Sequence, residues 1–240
     1  IAVDALNRYL VTVSDDKTAR VWELPGGNLM SILRPPIGEG KDGLLYAVAI
    51  SPDGNTIAVG GFTGNIEERS TSVYIFDRES EKMIRRLKGF QNVIFSLAYS
   101  PDGKYLGVTG AGRIGMRLYE TKDYQLIGSD SDYGGASDWI DFNFTSDRIV
   151  TSCLDGFVRL YEINDGKLSL IAKKTVRGGN EPMSVKFSPD GEKIGIGFYE
   201  STSVTVVSTH ALQYLYSANV NKVGQGTVTN PIYFPAVTWS

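Results

Sequence analysis

The run Gly110-Ala111-Gly112-Arg113-Ile114-Gly115 has the spacing of a phosphate-cradling glycine loop. A dinucleotide site needs a helix straight after such a loop, so that its N-terminus meets the pyrophosphate. Here Met116-Arg117-Leu118-Tyr119 alternates as a strand does, and the glycines read as a hairpin loop. His210 is the only histidine; Ser208 and Thr209 stand beside it, but no carboxylate in sequence reach could orient it for proton transfer. The single cysteine, Cys153, rules out an internal disulfide and a cysteine-rich zinc site and reads as a buried apolar residue. Asp53, Asp102 and Asp190 occupy equivalent turns, which implies turn-forming carboxylates far apart in space. Arg20, Arg117 and Arg159 recur at one strand position and read as a solvated strand face. Asn143-Phe144-Thr145 fits a glycosylation sequon but falls in a strand. No catalytic residue, metal ligand or cofactor is expected.

Those residues sit in a repeated framework. Val13 to Glu23 reads as strand, tight turn and strand, with Asp16 six residues before Trp22. That spacing predicts a turn carboxylate facing back along the hairpin. Cys153 to Glu162 has the same layout, with Tyr161 in place of Trp22. The anchors Trp22, Phe76, Tyr119, Tyr161 and Val207 are 54, 43, 42 and 46 residues apart. A second marker, Ser-Pro-Asp-Gly, begins at Ser51, Ser100 and Ser188, each copy following an alternating apolar segment. Four short strands per period of about forty residues is the signature of a β-propeller. Repeats are expected at about 1–34, 44–88, 93–128, 138–173 and 183–216, with a sixth starting at 232–240, all in one domain over 1–240.

A net charge of −3 over 240 residues argues against a general binder of nucleic acid or anionic membranes. There is no apolar run of 18 residues. One cysteine suggests a reducing compartment, the cytoplasm, with the periplasm as the alternative.

Tyr9 to Trp22 and Leu45 to Gly54 resemble WD40 repeats, and the resemblance runs along essentially the whole chain. It is nearest to divergent bacterial WD40 regions, of the kind sometimes joined to a caspase-like peptidase domain. The resemblance implies an all-β, WD40-type β-propeller of five four-stranded blades plus one extra strand. It also implies a segment of a seven-bladed ring or of a larger two-propeller protein, with a self-closed five-bladed ring as the competing reading. The family's Trp, Ser/Thr and Asp network maps here onto Thr12, Asp16 and Trp22, and onto Thr151, Asp155 and Tyr161. The family's loop histidine has no counterpart in any repeat.

The long loop from Gly61 to Thr71 accounts for the 54-residue spacing, and inserted loops often carry binding. In WD40 proteins such tips share a face. Here that face collects Phe62, Ile66, Arg69, Phe90, Arg113, Tyr133, Phe198 and Tyr199 as partner-binding candidates. The expected function is a non-catalytic scaffold that docks a protein or peptide, or another domain of its own full-length chain. The alternatives are a propeller-type lactonase or hydrolase with a site in the central channel, and a structural spacer in a multidomain protease or signalling protein.

Overall fold

In the computed structural model the chain is built from antiparallel sheets of consecutive strands. The structure describes residues 1–36, 38–65, 70–199, 201–218 and 237–239. Among them there is no α-helix, only one 3-10 turn at Gly112–Ile114, and so no helix long and apolar enough to cross a membrane.

Two compact units are present. The first, Ile1–Asp132, holds three sheets. Sheet one runs Ala2–Val3, Tyr9–Val13, Ala19–Glu23, Leu29–Leu33. Sheet two runs Leu44–Ile50, Thr56–Phe62, Ser70–Asp77, Met83–Phe90, with a two-residue strand at Gly64–Asn65 folded onto Ser70 and Thr71. Sheet three runs Ile94–Tyr99, Tyr105–Gly110, Met116–Glu120, Leu126–Asp130. The second unit, Tyr133–Ser240, holds two. Sheet four is Trp139–Phe142, Arg148–Ser152, Phe157–Asn164, Lys167–Thr175, and sheet five Pro182–Phe187, Lys193–Phe198, Val204–Ser208, Tyr214–Ser217. Each sheet has the strand order and size of a propeller blade. The sixth-repeat strand expected at 232–240 lies outside the described residues except for 237–239.

The sequence forms these elements because its turns are strongly specified. In each Ser-Pro-Asp-Gly turn the Asp accepts the Ser hydroxyl, and the Ser oxygen accepts the N–H that opens the next strand, as in Ser51, Asp53 and Thr56. Gly54, Gly103 and Gly191 take the positive φ that closes the reversal.

Side-chain alternation then divides sheet two between two cores. Tyr74 and Phe76 join Ile57 and Val59 against Val11, Val21 and Leu33 of sheet one. Val73 and Ile75 join Ala58 against Ile94, Leu106 and Val108 of sheet three. In the second unit Val158 and Leu160 of sheet four meet Val185, Ile194 and Phe198 of sheet five. Polar ties also join this pair: Asp141 accepts Lys186 Nζ at 2.5 Å and the Phe187 N–H at 2.8 Å, and Ser152 Oγ donates to the Met183 carbonyl at 2.8 Å. Trp239 Nε1 donates to the Lys186 carbonyl at 3.0 Å. Asp141 thus occupies an outward N–H of that edge strand, which helps to blunt an otherwise adhesive edge.

Burial predicts the cost of truncation. Leu160→Ala, in the core between sheets four and five, should lower unfolding free energy by about 2–5 kcal/mol. Leu170→Ala, at a site 47% exposed on the outer strand, should cost under about 1 kcal/mol. Urea denaturation of the two variants measures the difference, and equal losses would contradict the packing described.

Candidate functional site

Strand pairing skips one residue at the same point in three sheets. Leu45 pairs with Gly61 and Ala47 with Gly60, leaving Tyr46 unpaired. Ile94 pairs with Gly110 and Ser96 with Thr109, leaving Phe95. Pro182 pairs with Phe198 and Ser184 with Gly197, leaving Met183. Each extra residue stands five positions before the turn serine. A bulge of this kind breaks the alternation and re-aims a side chain. It also brings backbones together: a Cβ on Gly61 would lie 2.1 Å from the Leu44 carbonyl oxygen, and one on Gly110 2.3 Å from that of Val93. Gly110 therefore serves the bulge, and the strand Met116–Glu120 follows the glycines as the sequence predicts.

The bulges assemble an aromatic cluster at one end of the first unit. The Tyr46 ring meets Phe62 edge-on at 5.8 Å and lies 6.4 Å from Phe95. Lys41 Nζ stands 5.7 Å from the Phe62 ring centre. Leu45 donates its N–H to the Ser14 carbonyl, tying the hairpin tip of sheet one to this strand. Burial first, and then the Asp15 carboxylate, push the Tyr46 phenol up, so it remains a neutral donor. Tyr46 is 41% exposed, while Phe62 and Phe95 are half-buried. The cluster offers apolar rings, a phenol and flanking charges of both signs, the composition suited to holding a peptide.

The remaining nominated residues separate by burial. Arg113 is exposed, and Tyr199 is 48% exposed. Ile66 and Arg69 lie outside the described residues. Phe90, Tyr133 and Phe198 are buried, contrary to the expectation that their loops present them to solvent. Phe90 folds back beneath Arg117, whose guanidinium carbon is 4.4 Å from the ring centre. Tyr133 lies beneath Arg159 at 3.9 Å and bridges Thr151 Oγ1 at 2.7 Å and the Tyr161 hydroxyl at 2.9 Å. Phe198 fills the space left by Gly178 and Gly179, where a Cβ would come within 2.8 Å of its ring. Of the three arginines expected on a solvated face, Arg159 is fully buried instead, while Arg20 and Arg117 are partly exposed.

Residues of the expected network are partnered in two sheets, but in sheet one Asp16 does not join the Trp22–Thr12 pair. Trp22 Nε1 donates to Thr12 Oγ1 at 3.0 Å. Asp16 turns along its hairpin, accepting Thr18 Oγ1 at 2.6 Å and Arg20 at 2.5 Å. In sheet four Asp155 accepts Arg159 at 2.6 Å and the Gly134 N–H at 2.9 Å. Burial works to raise the Asp155 pKa, but Arg159 and the Gly134 N–H outweigh it and hold the carboxyl well below its ordinary range. The Tyr133 hydroxyl links the network residues Thr151 and Tyr161. Cys153 is buried, its thiol pushed up to about 11 by desolvation. His210 is exposed in a hairpin, and no group of three or more metal-ligating side chains occurs among the described residues.

The model of the WD domain, G-beta repeat, matches residues 1–23 and 81–113. The match is to WD40 repeats. Among relatives, pre-mRNA-processing factor 19 of Oryza sativa subsp. japonica is 24% identical over 204 residues, covering 82% of this chain and 36% of that protein. The guanine nucleotide-binding protein subunit beta of Zea mays is 26% identical over 66% of this chain and 43% of its own length. Coronin-7 of Rattus norvegicus is 30% identical over 49% of this chain and 12% of its own length. The chain thus spans less than half of each of these WD40-type relatives. They are plant and animal proteins, and lend no support to the bacterial kinship expected from the sequence.

Two variants probe the network. Tyr133→Phe removes the bridging hydroxyl and should cost about 1–2 kcal/mol in urea denaturation. Hydrogen bonds from Arg20 and then Thr18 lower the Asp16 pKa from 3.8 to about 2. A depressed carboxylate pKa stabilises the fold above its unfolded value, near 4, and loses that contribution as pH falls through the folded one. The stability gap between the native chain and Asp16→Asn should therefore be open above pH 4 and shrink as pH falls toward 2. A gap that widens on acidification would contradict the pairing.

Proposed function

We propose that this chain is a WD40-type propeller segment that performs no bond chemistry and docks a protein or peptide partner, or another domain of its own full-length chain. The observation that carries this reading is the bulge-presented cluster of Tyr46, Phe62 and Phe95. Aromatic rings on a rigid sheet lose little entropy on binding and are the residues most often found at binding hot spots. Tyr46 would be the central anchor, Phe62 and Phe95 the walls, and Lys41 and Asp15 the charged rim. Arg113 and Tyr199 are secondary contacts in their own units. Ile66 and Arg69 remain candidates by sequence.

The relatives support a binding role in general terms. One of those similar to this chain is named an actin-interacting protein, from Drosophila melanogaster, at 25% identity over 73% of this chain. The particular partner here is to be found by experiment. A displayed peptide library selected on the chain should yield binders whose affinity falls about 30-fold or more in Tyr46→Ala and Phe95→Ala, the range of a hot spot worth about 2 kcal/mol. Thermal midpoints should stay close to that of the parent. Selected peptides that bind both variants as well as the parent would place the docking face elsewhere.

A further inference from the structure

At the opposite ends of the same strands, the first unit holds a pocket of about 430 Å³ between sheets two and three. Two short side chains leave it open. At the junction of sheets one and two, the residue that opens the second strand is Tyr9. Its ring packs on Gly54 and lies 4.2 Å from the Arg78 guanidinium, which fills the space. The matching residue of sheet two is Thr56, and Thr121 stands where Arg78 does, bonding the Gly103 carbonyl as Arg78 bonds that of Gly54, so at the next junction the space stays open.

The lining has a definite chemistry. Thr56 Oγ1 donates to the Tyr99 hydroxyl at 3.3 Å, which in turn meets the Tyr124 hydroxyl at 3.2 Å. Hydroxyl pairs normally sit near 2.7–2.8 Å, so this chain is loosely bonded and open to a better partner. Tyr124 is held at φ +58, a costly backbone for a bulky residue, at a turn where other sheets place Gly27 and Glu81. Asp53 and Asp102 both line the pocket, although their equivalence in sequence suggested turns far apart. Burial opposes their charge, but Ser51 and Asn55 on one, and Ser100 and Lys104 on the other, keep both pKa values below the ordinary range. Lys122 adds an opposite charge, and Pro52 and Ile84 an apolar wall.

We propose that this pocket binds a small polyhydroxylated ligand, a sugar ring. Two carboxylates can accept from ligand hydroxyls, the Tyr99 and Tyr124 hydroxyls can donate or accept, and the wall of Pro52 and Ile84 matches the C–H face of a sugar. Lys122 offsets part of the acidic charge, which favours a neutral ligand over a guanidinium. The site stands apart from the aromatic cluster, and neither reading depends on the other.

The test is an NMR titration of the 15N-labelled chain with glucose, galactose, mannose and their methyl glycosides, and with N-acetylarginine amide as a cationic probe. A member of the sugar panel should give saturable shifts at Asp53, Asn55, Asp102 to Lys104 and Thr121 to Gln125, with a Kd on the order of 1 mM. Binding of the free sugar alone identifies a free monosaccharide, and binding of the glycoside as well identifies a chain end. Thr56→Tyr puts a ring into the open space and should weaken binding at least about tenfold. If that variant does not fold, Tyr124→Phe should weaken it severalfold with the thermal midpoint unchanged. Absence of saturable shifts with every sugar, shifts that survive in a folded variant, or saturation by the arginine probe alone would overturn the proposal.

Discussion

Burial of sheets on both faces is the constraint from which the rest follows. A four-stranded sheet whose strands read Val73-Tyr74-Ile75-Phe76 has no polar side to give to water. It must lie between two neighbours, and the side-chain period of two decides which residue goes to which. Sheet two does this with Tyr74 and Phe76 on one side and Val73 and Ile75 on the other. Once sheets are stacked so, their strand ends and hairpin tips are the places left where polar chemistry and exposed rings can be placed without loss of core.

Bulges and loop residues exploit those ends in different ways. The bulges turn Tyr46 and Phe95 outward where strict alternation would fix every side chain to a core or its opposite. Phe90, at the end of its strand, and the loop residue Tyr133 turn inward and lie under Arg117 and Arg159. A guanidinium covers each ring, and in sheet four Asp155 holds that guanidinium in place. Sheet two has neither arrangement at its Lys41 loop, where the lysine instead approaches Phe62 in the exposed cluster.

Strands and turns were legible in the sequence because they depend on local chemistry. Apolar alternation and the Ser-Pro-Asp-Gly turns mark the strands of sheets two, three and five to within a few residues. The site was less legible. A loop position says nothing about whether a side chain folds back, and so Phe90, Tyr133 and Phe198 look like surface residues until the glycines and arginines that receive them are in place. Tyr46 and Phe95 look like ordinary strand residues, because a bulge depends on the partner strand as well as on their own. Counting back from the turn serine in each repeat would have aligned them and shown their shared register. Equivalent turns in different repeats read as distant, yet adjacent sheets bring Asp53 and Asp102 to one pocket.

Native-state hydrogen exchange tests the two-faced burial most directly, because it reads the opening free energy strand by strand. The amides of Thr56–Phe62 and Ser70–Asp77, in the sheet buried on both sides, should exchange through openings as costly as any in their unit. Those of the outer strand Leu29–Leu33 should exchange through far cheaper local fraying. Equal protection of outer and central strands, or rapid exchange across sheet two, would contradict the account.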